Sequence, residues 1–294
     1  MKLTDIGELL LLAALWGGSF LFMRIAAPVL GPVWLIESRV LLAGLALLPL
    51  VVRAGAIQEM KHHWRPLFVV GALNSAFPFL LYAFASLSLP AGFTSILNAT
   101  APLFGTLVAF VWLKERLSRS QLIGFCLGFM GVVILVGWKT VVVTPAFVFA
   151  VAAGLLAALM YAIAAPYIRT HLQGVSSVVV TTGSQLSAAI LLLPALPFTV
   201  PNQVPSATVG LTVLALALLS TSGAYILYFR LIKNVGSTKA LTVTYLIPLF
   251  AMIWGALVLQ EAITLAMVIG CGLVLLGTAI ANNMAAAWRS PSRQ

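Results

Sequence analysis

The chain has 294 residues, of which 62% are hydrophobic and only 7% are charged, and its mean hydropathy is +1.12. A soluble domain has about 45–50% apolar and about 25% charged residues, so the composition excludes both a soluble globular protein and a disordered chain. The net charge of +10 reflects 16 Lys and Arg against 6 Asp and Glu, and its meaning depends on where those charges lie. We predict an all-α integral membrane protein with room for about ten transmembrane helices.

Apolar segments of transmembrane length follow one another almost without interruption. Their hydrophobicity is continuous, which excludes the alternating pattern of transmembrane strands. The first segment is predicted to be a retained helix, because its apolar stretch is too long for the core of a signal peptide. The predicted helices, span 1 to span 10, cover residues 6–27, 33–53, 66–87, 90–112, 119–137, 145–168, 177–196, 207–230, 236–258 and 263–284.

Lysines and arginines are concentrated at one side of this predicted bundle. With the N-terminus in the cytoplasm, thirteen of the sixteen fall at cytoplasmic loops or helix ends, and Lys139 alone falls on the opposite side. Arg24 and Arg39 lie within spans. Such a bias sets membrane orientation, so both termini are predicted to be cytoplasmic. The positive charge is thus a signal of topology, and it does not predict a nucleic-acid partner.

The second half of the chain repeats the first. Residues 82–137 align without gaps on residues 228–283, at an offset of 146. Prolines, glutamates and glycines coincide in this alignment, and one residue of slippage extends it to the first span of each half. The matched pairs include Pro102 with Pro248, Glu115 with Glu261, Gly124 with Gly270, Gly131 with Gly277, Trp16 with Tyr161, and Arg24 with Arg169.

A repeat with an odd number of helices must insert in opposite orientations in its two copies. Inverted repeats of this kind are typical of secondary transporters, whose substrate site lies between the copies near the middle of the membrane. We therefore predict two five-helix repeats, residues 1–140 and 141–294, around a central cavity.

Several segments of the chain carry distinctive motifs. The first copy contains Trp16-Gly17-Gly18-Ser19-Phe20, Arg39, and Ala91-Gly92-Phe93-Thr94-Ser95-Ile96-Leu97-Asn98-Ala99-Thr100-Ala101-Pro102 running into Leu113-Lys114-Glu115-Arg116. A weaker second copy contains Tyr245-Leu246-Ile247-Pro248 and Leu259-Gln260-Glu261. These motifs resemble the EamA domain of the drug/metabolite transporter superfamily. The resemblance implies a ten-helix, two-repeat carrier of small organic molecules. Within the family the chain is similar to the YddG-type branch of aromatic amino-acid exporters.

Aromatic, amide and hydroxyl side chains lie within the spans and are predicted to line a cavity between spans 1, 3, 4, 6, 8 and 9. Buried Tyr and Trp side chains need partners or water for their polar ends, which suggests a wet cavity with aromatic walls; for any one of these residues, packing between helices is the alternative. The predicted substrate-binding residues are Trp16, Ser19, Arg39, Asn74, Phe77, Pro78, Tyr82, Asn98, Met160, Tyr161, Tyr225, Thr244 and Tyr245.

The charges within spans have two interpretations each. Arg39 either meets a substrate carboxylate or gates the outer end, or it is a structural tether to carbonyls or an acid. Arg24 and Glu37 lie at similar depth on neighbouring antiparallel spans, so we predict a structural ion pair between them. Glu115 and Glu261 end spans 4 and 9 and are predicted to hold loops to neighbouring helix ends, near the N-termini of spans 5 and 10.

Matched prolines and glycines mark bending and packing. Pro102 and Pro248 fall inside spans 4 and 9 and are predicted to act as hinges at the cavity, because proline removes a backbone hydrogen bond; a tolerated kink is the alternative. The glycines of spans 5 and 10 are predicted to let these peripheral helices pack closely, or to form the seam of a homodimer. The protein is therefore predicted to be a monomer or a homodimer.

Catalytic and cofactor motifs are absent from the sequence. There is no G-x-S-x-G, H-E-x-x-H or phosphate-binding loop, and no histidine lies in a span. His62 and His63 have no third ligand nearby, and Cys126 and Cys271 lie in separate apolar segments, so no metal site is expected. We predict neither an enzyme nor a cofactor.

The predicted function is secondary export of small neutral amphipathic metabolites, most specifically neutral amino acids including aromatic ones, across a bacterial inner membrane. No acid lies at the centre of a span, so facilitated diffusion is favoured over proton coupling. Alternatives are the export of other metabolites or cationic toxicants. A nucleotide-sugar-like carrier is less favoured, because such a site needs several cations. A channel is disfavoured because no charged ring or carbonyl filter is evident.

Overall fold

The computed structural model describes residues 2–112, 114, 117–137 and 144–282. Within these ranges the chain is helical and contains no β-strand, which confirms the predicted all-α class. The sequence-based interpretations of Glu115 and Lys139 concern residues outside the described part of the chain.

Fourteen α-helices make up most of the described chain. They are α1 (Leu3–Arg53), α2 (Ile57–His62), α3 (Trp64–Gly71), α4 (Phe77–Ala85), α5 (Ala91–Asn98), α6 (Ala101–Trp112), α7 (Arg119–Gly137), α8 (Pro145–His171), α9 (Ser177–Leu192), α10 (Ala207–Leu214), α11 (Ala224–Val235), α12 (Ser237–Ala240), α13 (Val243–Leu259) and α14 (Leu265–Ala281). Two π-helical segments, Ala72–Ala76 and Ala215–Gly223, connect α3 to α4 and α10 to α11, and a short 3₁₀ helix, Leu193–Phe198, follows α9.

The longest helix, α1, is a hairpin. Gly31 has φ 72° and ψ 155°, a left-handed conformation that only glycine adopts readily, and it breaks the helix near its middle. The side chain of Arg39, after the break, lies 4.0 Å from the sulfur of Met23, before it. Sixteen residues of straight helix would hold them about 24 Å apart, so the two halves fold back on each other.

Seven helical segments of the described chain are long and apolar enough to cross a membrane, with α1 counted once. The last two helices, α13 and α14, are apolar but have 17 residues each. Apolar side chains cover the outer surface as well as the core: Val111, Leu211 and Leu257 are each about two-thirds exposed. An apolar exterior of this extent suits lipid rather than water.

We call the two ends of the helix bundle the termini side and the far side. On the termini side, where α1 begins and α14 ends, Glu8 forms an ion pair with Arg230 at 2.9 Å and Asn282 donates a hydrogen bond to Tyr245. On the far side, where α4 ends and α5 begins, Arg24 contacts the backbone of Ser86.

Glycines bring α7 and α14 into backbone contact. A Cβ atom added at Gly131 would lie 2.7 Å from the carbonyl oxygen of Gly270, and Gly124 faces Gly277 in the same way. The predicted close packing of these helices is thus present within one chain. Gly272 is different, because nothing lies within 4 Å of a Cβ added there.

This packing predicts opposite effects for the same substitution at two glycines. Gly131→Ala should destabilise the protein by about 1–3 kcal/mol, because the methyl group would overlap the backbone of α14. The matched control Gly272→Ala should be neutral or slightly stabilising, since alanine favours helix and meets no neighbour. Thermal unfolding of the purified variants in detergent measures both, and equal melting temperatures would contradict the assigned packing.

Candidate functional site

A central cavity of about 340 Å³ lies between the helices near the middle of the bundle. Its walls come from both halves of α1, from α4 to α6, from α8, α11, α13 and α14, and from both π-helical segments. The lining residues are Trp16, Ser19, Phe20, Met23, Arg39, Asn74, Phe79, Tyr82, Asn98, Ala99, Ala101, Pro102, Tyr161, Ser220, Tyr225, Leu241, Thr244, Tyr245, Ile247, Leu275 and Thr278.

Arg39 is the charged group of this lining, and the structure holds it firmly. It is 5% exposed, its Nε donates to Thr221 Oγ1 at 3.0 Å, and its guanidinium carbon lies 3.6 Å from the centre of the Phe79 ring. The Thr221 hydroxyl in turn donates to the carbonyl of Leu216 at 2.8 Å, five residues earlier in the π-helical segment. Among the described residues no acidic side chain forms an ion pair with Arg39.

Aromatic rings form much of the remaining wall. The ring of Tyr82 lies 5.8 Å from that of Phe20 and 6.0 Å from that of Tyr161, measured between centroids. Trp16 meets Tyr225 edge-on at 6.1 Å. These separations are within the range of favourable aromatic pairs, so the rings support one another and present both faces and edges to the cavity.

Several polar groups in the wall are available to a ligand. The Tyr82 hydroxyl and the Ser220 hydroxyl are buried and have no hydrogen-bond partner within the described residues. The side chain of Asn74 lies beside Tyr225, and both Tyr161 and Tyr225 lie near Arg39 in the same lining. Buried polar groups are usually satisfied, so these two hydroxyls are suited to bond a molecule that enters the cavity.

Ten of the thirteen residues predicted to bind substrate line this cavity. They are Trp16, Ser19, Arg39, Asn74, Tyr82, Asn98, Tyr161, Tyr225, Thr244 and Tyr245.

The other three predicted residues do not line the cavity, and local geometry explains why. Phe77 is 43% exposed, and Pro78 is buried but does not line the cavity. The π-helical segment Ala72–Ala76 has five-residue spacing, so the face that begins at Asn74 continues at Phe79 instead. Met160 is next to Tyr161 on α8, about 100° away around the helix, and it is Tyr161 that faces the cavity.

The cavity also has contributors that the sequence did not reveal. The helix α14, predicted to be peripheral, supplies Leu275 and Thr278. Thr278 donates to the carbonyl of Ala99 at 3.4 Å, where α5 gives way to α6. Apolar residues such as Phe20 and Leu275 carry no signal in a sequence that is apolar throughout.

The predicted hinges occupy different settings. Pro102 is the second residue of α6 and lines the cavity, just after the helix break at Ala99 and Thr100. Pro248 lies within the continuous helix α13 and is buried outside the lining. Their role in motion stays a prediction.

The predicted ion pair between Arg24 and Glu37 is wrong in its partner. Arg24 Nε lies 3.3 Å from Glu261 Oε1, and its Nη1 donates to the carbonyls of Ser86 and Leu87 at 2.7 and 3.0 Å. Glu37 is buried instead, 4% exposed, and its Oε2 has no partner among the described residues. The prediction compared only the depths of residues within their spans. It could not show that the loop after α13 crosses the far side and brings Glu261 to Arg24.

Glu261 holds its loop to a helix end, as predicted, but to a different helix. Its Oε2 accepts a hydrogen bond from the backbone nitrogen of Ala91 at 2.9 Å, so the carboxylate sits at the N-terminus of α5 rather than of α14. This position is favourable for a negative charge.

A second opening, the lateral groove, of about 430 Å³, runs between α6 and α8 toward the termini side. It shares Ala101, Pro102 and Tyr161 with the central cavity, and Arg169 stands at its outer end. The remaining lining is small or apolar: Gly105, Val108, Ala109, Ala162, Ala165 and Pro166.

Comparison with known proteins supports the transporter architecture. The EamA-like transporter family matches the chain twice, at residues 6–137 and 148–283. A protein of Archaeoglobus fulgidus named as an uncharacterized transporter is 23% identical, over 92% of this chain and 95% of its own. Protein PecM of Dickeya dadantii is 25% identical, over 92% of this chain and 89% of its own.

Two further similarities extend over nearly the whole chain. A protein of Streptantibioticus cattleyicolor named "Probable terminal-alkyne amino-acid exporter" is 25% identical over 96% of this chain and 95% of its own. A solved crystal structure aligns with 99% of this chain and all of its own at a TM-score of 0.65 and 20% identity, a likeness of fold. The chain is a multi-pass membrane transporter, not an enzyme, and it belongs to the EamA-like transporter family.

Proposed function

We propose that this protein exports neutral amino acids, including aromatic ones, across the inner membrane of a bacterium by alternating access. The observation that carries the proposal is Arg39, a buried arginine in an aromatic wall with no acidic partner among the described residues. Buried charges are normally paired, so its guanidinium is suited to accept the partner that a substrate brings. A carboxylate is that partner, since arginine binds it with two parallel hydrogen bonds.

The rest of the cavity suits the other parts of a zwitterion. Tyr161 and Tyr225 lie beside Arg39, and their ring faces attract an ammonium group by the cation–π interaction. The amide oxygens of Asn74 and Asn98 offer hydrogen-bond acceptors in the same lining. An aromatic substrate side chain then meets Trp16 and its neighbours, at about 0.5–1.5 kcal/mol for each well-placed ring pair.

Size and charge argue against the alternative substrates. Ligand pockets span roughly 300–1,000 Å³, and the central cavity is about 340 Å³, which favours a small molecule over a nucleotide sugar. Among the described residues, Arg39 is the single cation of the lining, and one cation is too few for two phosphates. No carboxylate lines the described cavity, which weakens a cationic toxicant as substrate. The amino-acid export named for the Streptantibioticus cattleyicolor relative supports the proposed class, and other neutral metabolites are the alternative.

The proposed topology has ten crossings in two inverted repeats, residues 1–140 and 141–294. Both halves of α1 count as crossings, as do α13 and α14, and the two family matches support one repeat each. Five crossings per repeat invert the second copy. Because most lysines and arginines then lie on the termini side, this side faces the cytoplasm and the far side faces outward.

The topology predicts where fused reporters fold. An enzyme reporter active only in the cytoplasm should work when fused to either terminus. The same reporter inserted between Val200 and Val204, in the loop after the 3₁₀ helix, should be inactive. Activity assays on whole cells make the comparison, and an active external insertion would contradict the orientation.

The role of Arg39 predicts a loss that depends on the substrate carboxylate. Arg39→Gln should raise the KM for phenylalanine counterflow in proteoliposomes about tenfold to a hundredfold, the effect of losing a hydrogen-bonded charge pair. Competition by phenylethylamine, which lacks the carboxylate, should change little. If both compounds weaken equally, Arg39 acts through folding rather than through carboxylate binding.

Two further variants act as controls for that measurement. Arg39→Lys keeps the charge but loses the paired geometry, so its KM should lie between those of the parent and Arg39→Gln. Arg65→Gln removes an exposed arginine stacked on Trp64, remote from the cavity, and should leave KM unchanged. Thermal unfolding of each variant separates binding from stability.

Transport is proposed to run without a proton gradient. The two acids within predicted spans lie away from the lining: Glu37 is buried elsewhere, and Glu8 is paired with Arg230. Counterflow of labelled amino acid should therefore be saturable and should persist when inside and outside pH are equal. Flux that requires an imposed pH difference would contradict the uncoupled mechanism while leaving the substrate class standing.

A further inference from the structure

A polar cluster, which we name the far-side latch, joins several elements on the far side of the bundle. It consists of the side chains of Arg24 and Glu261 and the backbone of Ser86, Leu87 and Ala91. Arg24 binds both carbonyls and the carboxylate, and the carboxylate binds the Ala91 nitrogen at 2.9 Å. The cluster thus ties together the first half of α1, the ends of α4 and α5, and the loop after α13.

The latch lies directly beyond the central cavity. Arg24 follows Met23, which lines the cavity, and Ser86 is one turn after Tyr82, which also lines it. The Ser86 hydroxyl donates to the Tyr82 carbonyl at 2.8 Å, so the two positions are rigidly connected. A substrate leaving toward the far side has to separate elements that the latch joins.

The arginine at the matched position of the repeat lies on the termini side and differs from Arg24 in its contacts. Arg169, the repeat mate of Arg24, is exposed and forms no ion pair with any described residue. It stands at the mouth of the lateral groove, which joins the central cavity at Ala101, Pro102 and Tyr161. In an inverted-repeat carrier that is closed on one side and open on the other, we expect one of two matched arginines to be engaged and the other to be exposed.

We propose that the far-side latch is the gate through which substrate leaves, and that Arg169 closes the lateral groove when the latch opens. This inference rests on the proposed transport function, but it concerns accessibility and not the identity of the substrate. The two arginines are positioning residues, because neither lines the central cavity.

Gly255 offers a way to disturb the latch without removing a charge. The Glu261 backbone nitrogen donates to the Gly255 carbonyl at 3.1 Å, after a left-handed turn at Gln260. A Cβ added at Gly255 would lie 2.5 Å from Glu261 Oε2, the atom that binds Ala91. Gly255→Ala should therefore push the flexible carboxylate away from Ala91 while the helix persists.

Thiol labelling measures the gate directly. Cys126 and Cys271 are replaced by alanine, Ser19→Cys places a reporter in the cavity wall, and a membrane-impermeant thiol reagent is applied to right-side-out vesicles. Arg24→Gln, Glu261→Gln and Gly255→Ala should each raise the labelling rate about tenfold, the effect of losing a charge-assisted contact. Arg169→Gln should lower the labelling rate, because the substitution removes an interaction that is proposed to form only when the far side is open.

Glu8→Gln is the matched control. It breaks the ion pair with Arg230 on the termini side, away from the latch, and should leave labelling from outside unchanged. Inverted vesicles should show the reverse order of rates, which also reveals a reversed topology. Unchanged rates in all three latch variants would overturn the gate, and an unchanged rate in Arg169→Gln would overturn its counterpart.

The two proposals fail separately. A labelling shift without amino-acid flux in proteoliposomes would retain the latch and reject the substrate class. Amino-acid flux without a labelling shift would retain the function and reject the latch.

Discussion

Backbone hydrogen bonding in a membrane is the constraint on which this structure depends. Hydrocarbon offers no partner to a free N–H or carbonyl, so irregular backbone is tolerated only where protein or a wet cavity satisfies it. Four interruptions of the described helices meet the central cavity: the π-helical segments contribute Asn74 and Ser220, and the breaks before α6 and α13 contribute Ala99 and Leu241. The need to satisfy the backbone thus concentrates polar groups at one place, and the site is built from that concentration.

Threonine and serine hydroxyls complete the bonding at these interruptions. Thr100 donates to the carbonyl of Leu97 at 2.6 Å, and Ser222 donates to that of Ala217 at 3.1 Å in the second π-helical segment. The Thr221 hydroxyl donates to the carbonyl of Leu216, and its oxygen also accepts a hydrogen bond from Nε of Arg39. The group that completes the helix hydrogen bonding therefore also orients the charge in the cavity, which links helix geometry to the proposed binding of a carboxylate.

The two halves of the chain share a sequence pattern, but some of their matched residues make different contacts. Glycines hold α7 against α14 at mutually matched positions, so this pair of helices can serve as a fixed support. Around the cavity, Arg24 is engaged by carbonyls and a carboxylate, whereas its mate Arg169 is exposed. This difference between matched arginines is the asymmetry on which the proposed gate rests.

Composition and pattern alone determined the membrane location, the helical class, the family resemblance and most of the cavity residues, because hydropathy and buried polar groups are properties of local sequence. Tertiary structure decided the rest. The rotation introduced by the π-helical segment, which replaced Phe77 with Phe79, depends on backbone spacing that residue types do not specify. The partner of Arg24 is Glu261, which lies 237 residues away in the sequence. Only the tertiary structure shows that Arg24 pairs with Glu261 and not with Glu37. Long-range pairing depends on where loops cross the surface, which periodicity within single helices cannot encode.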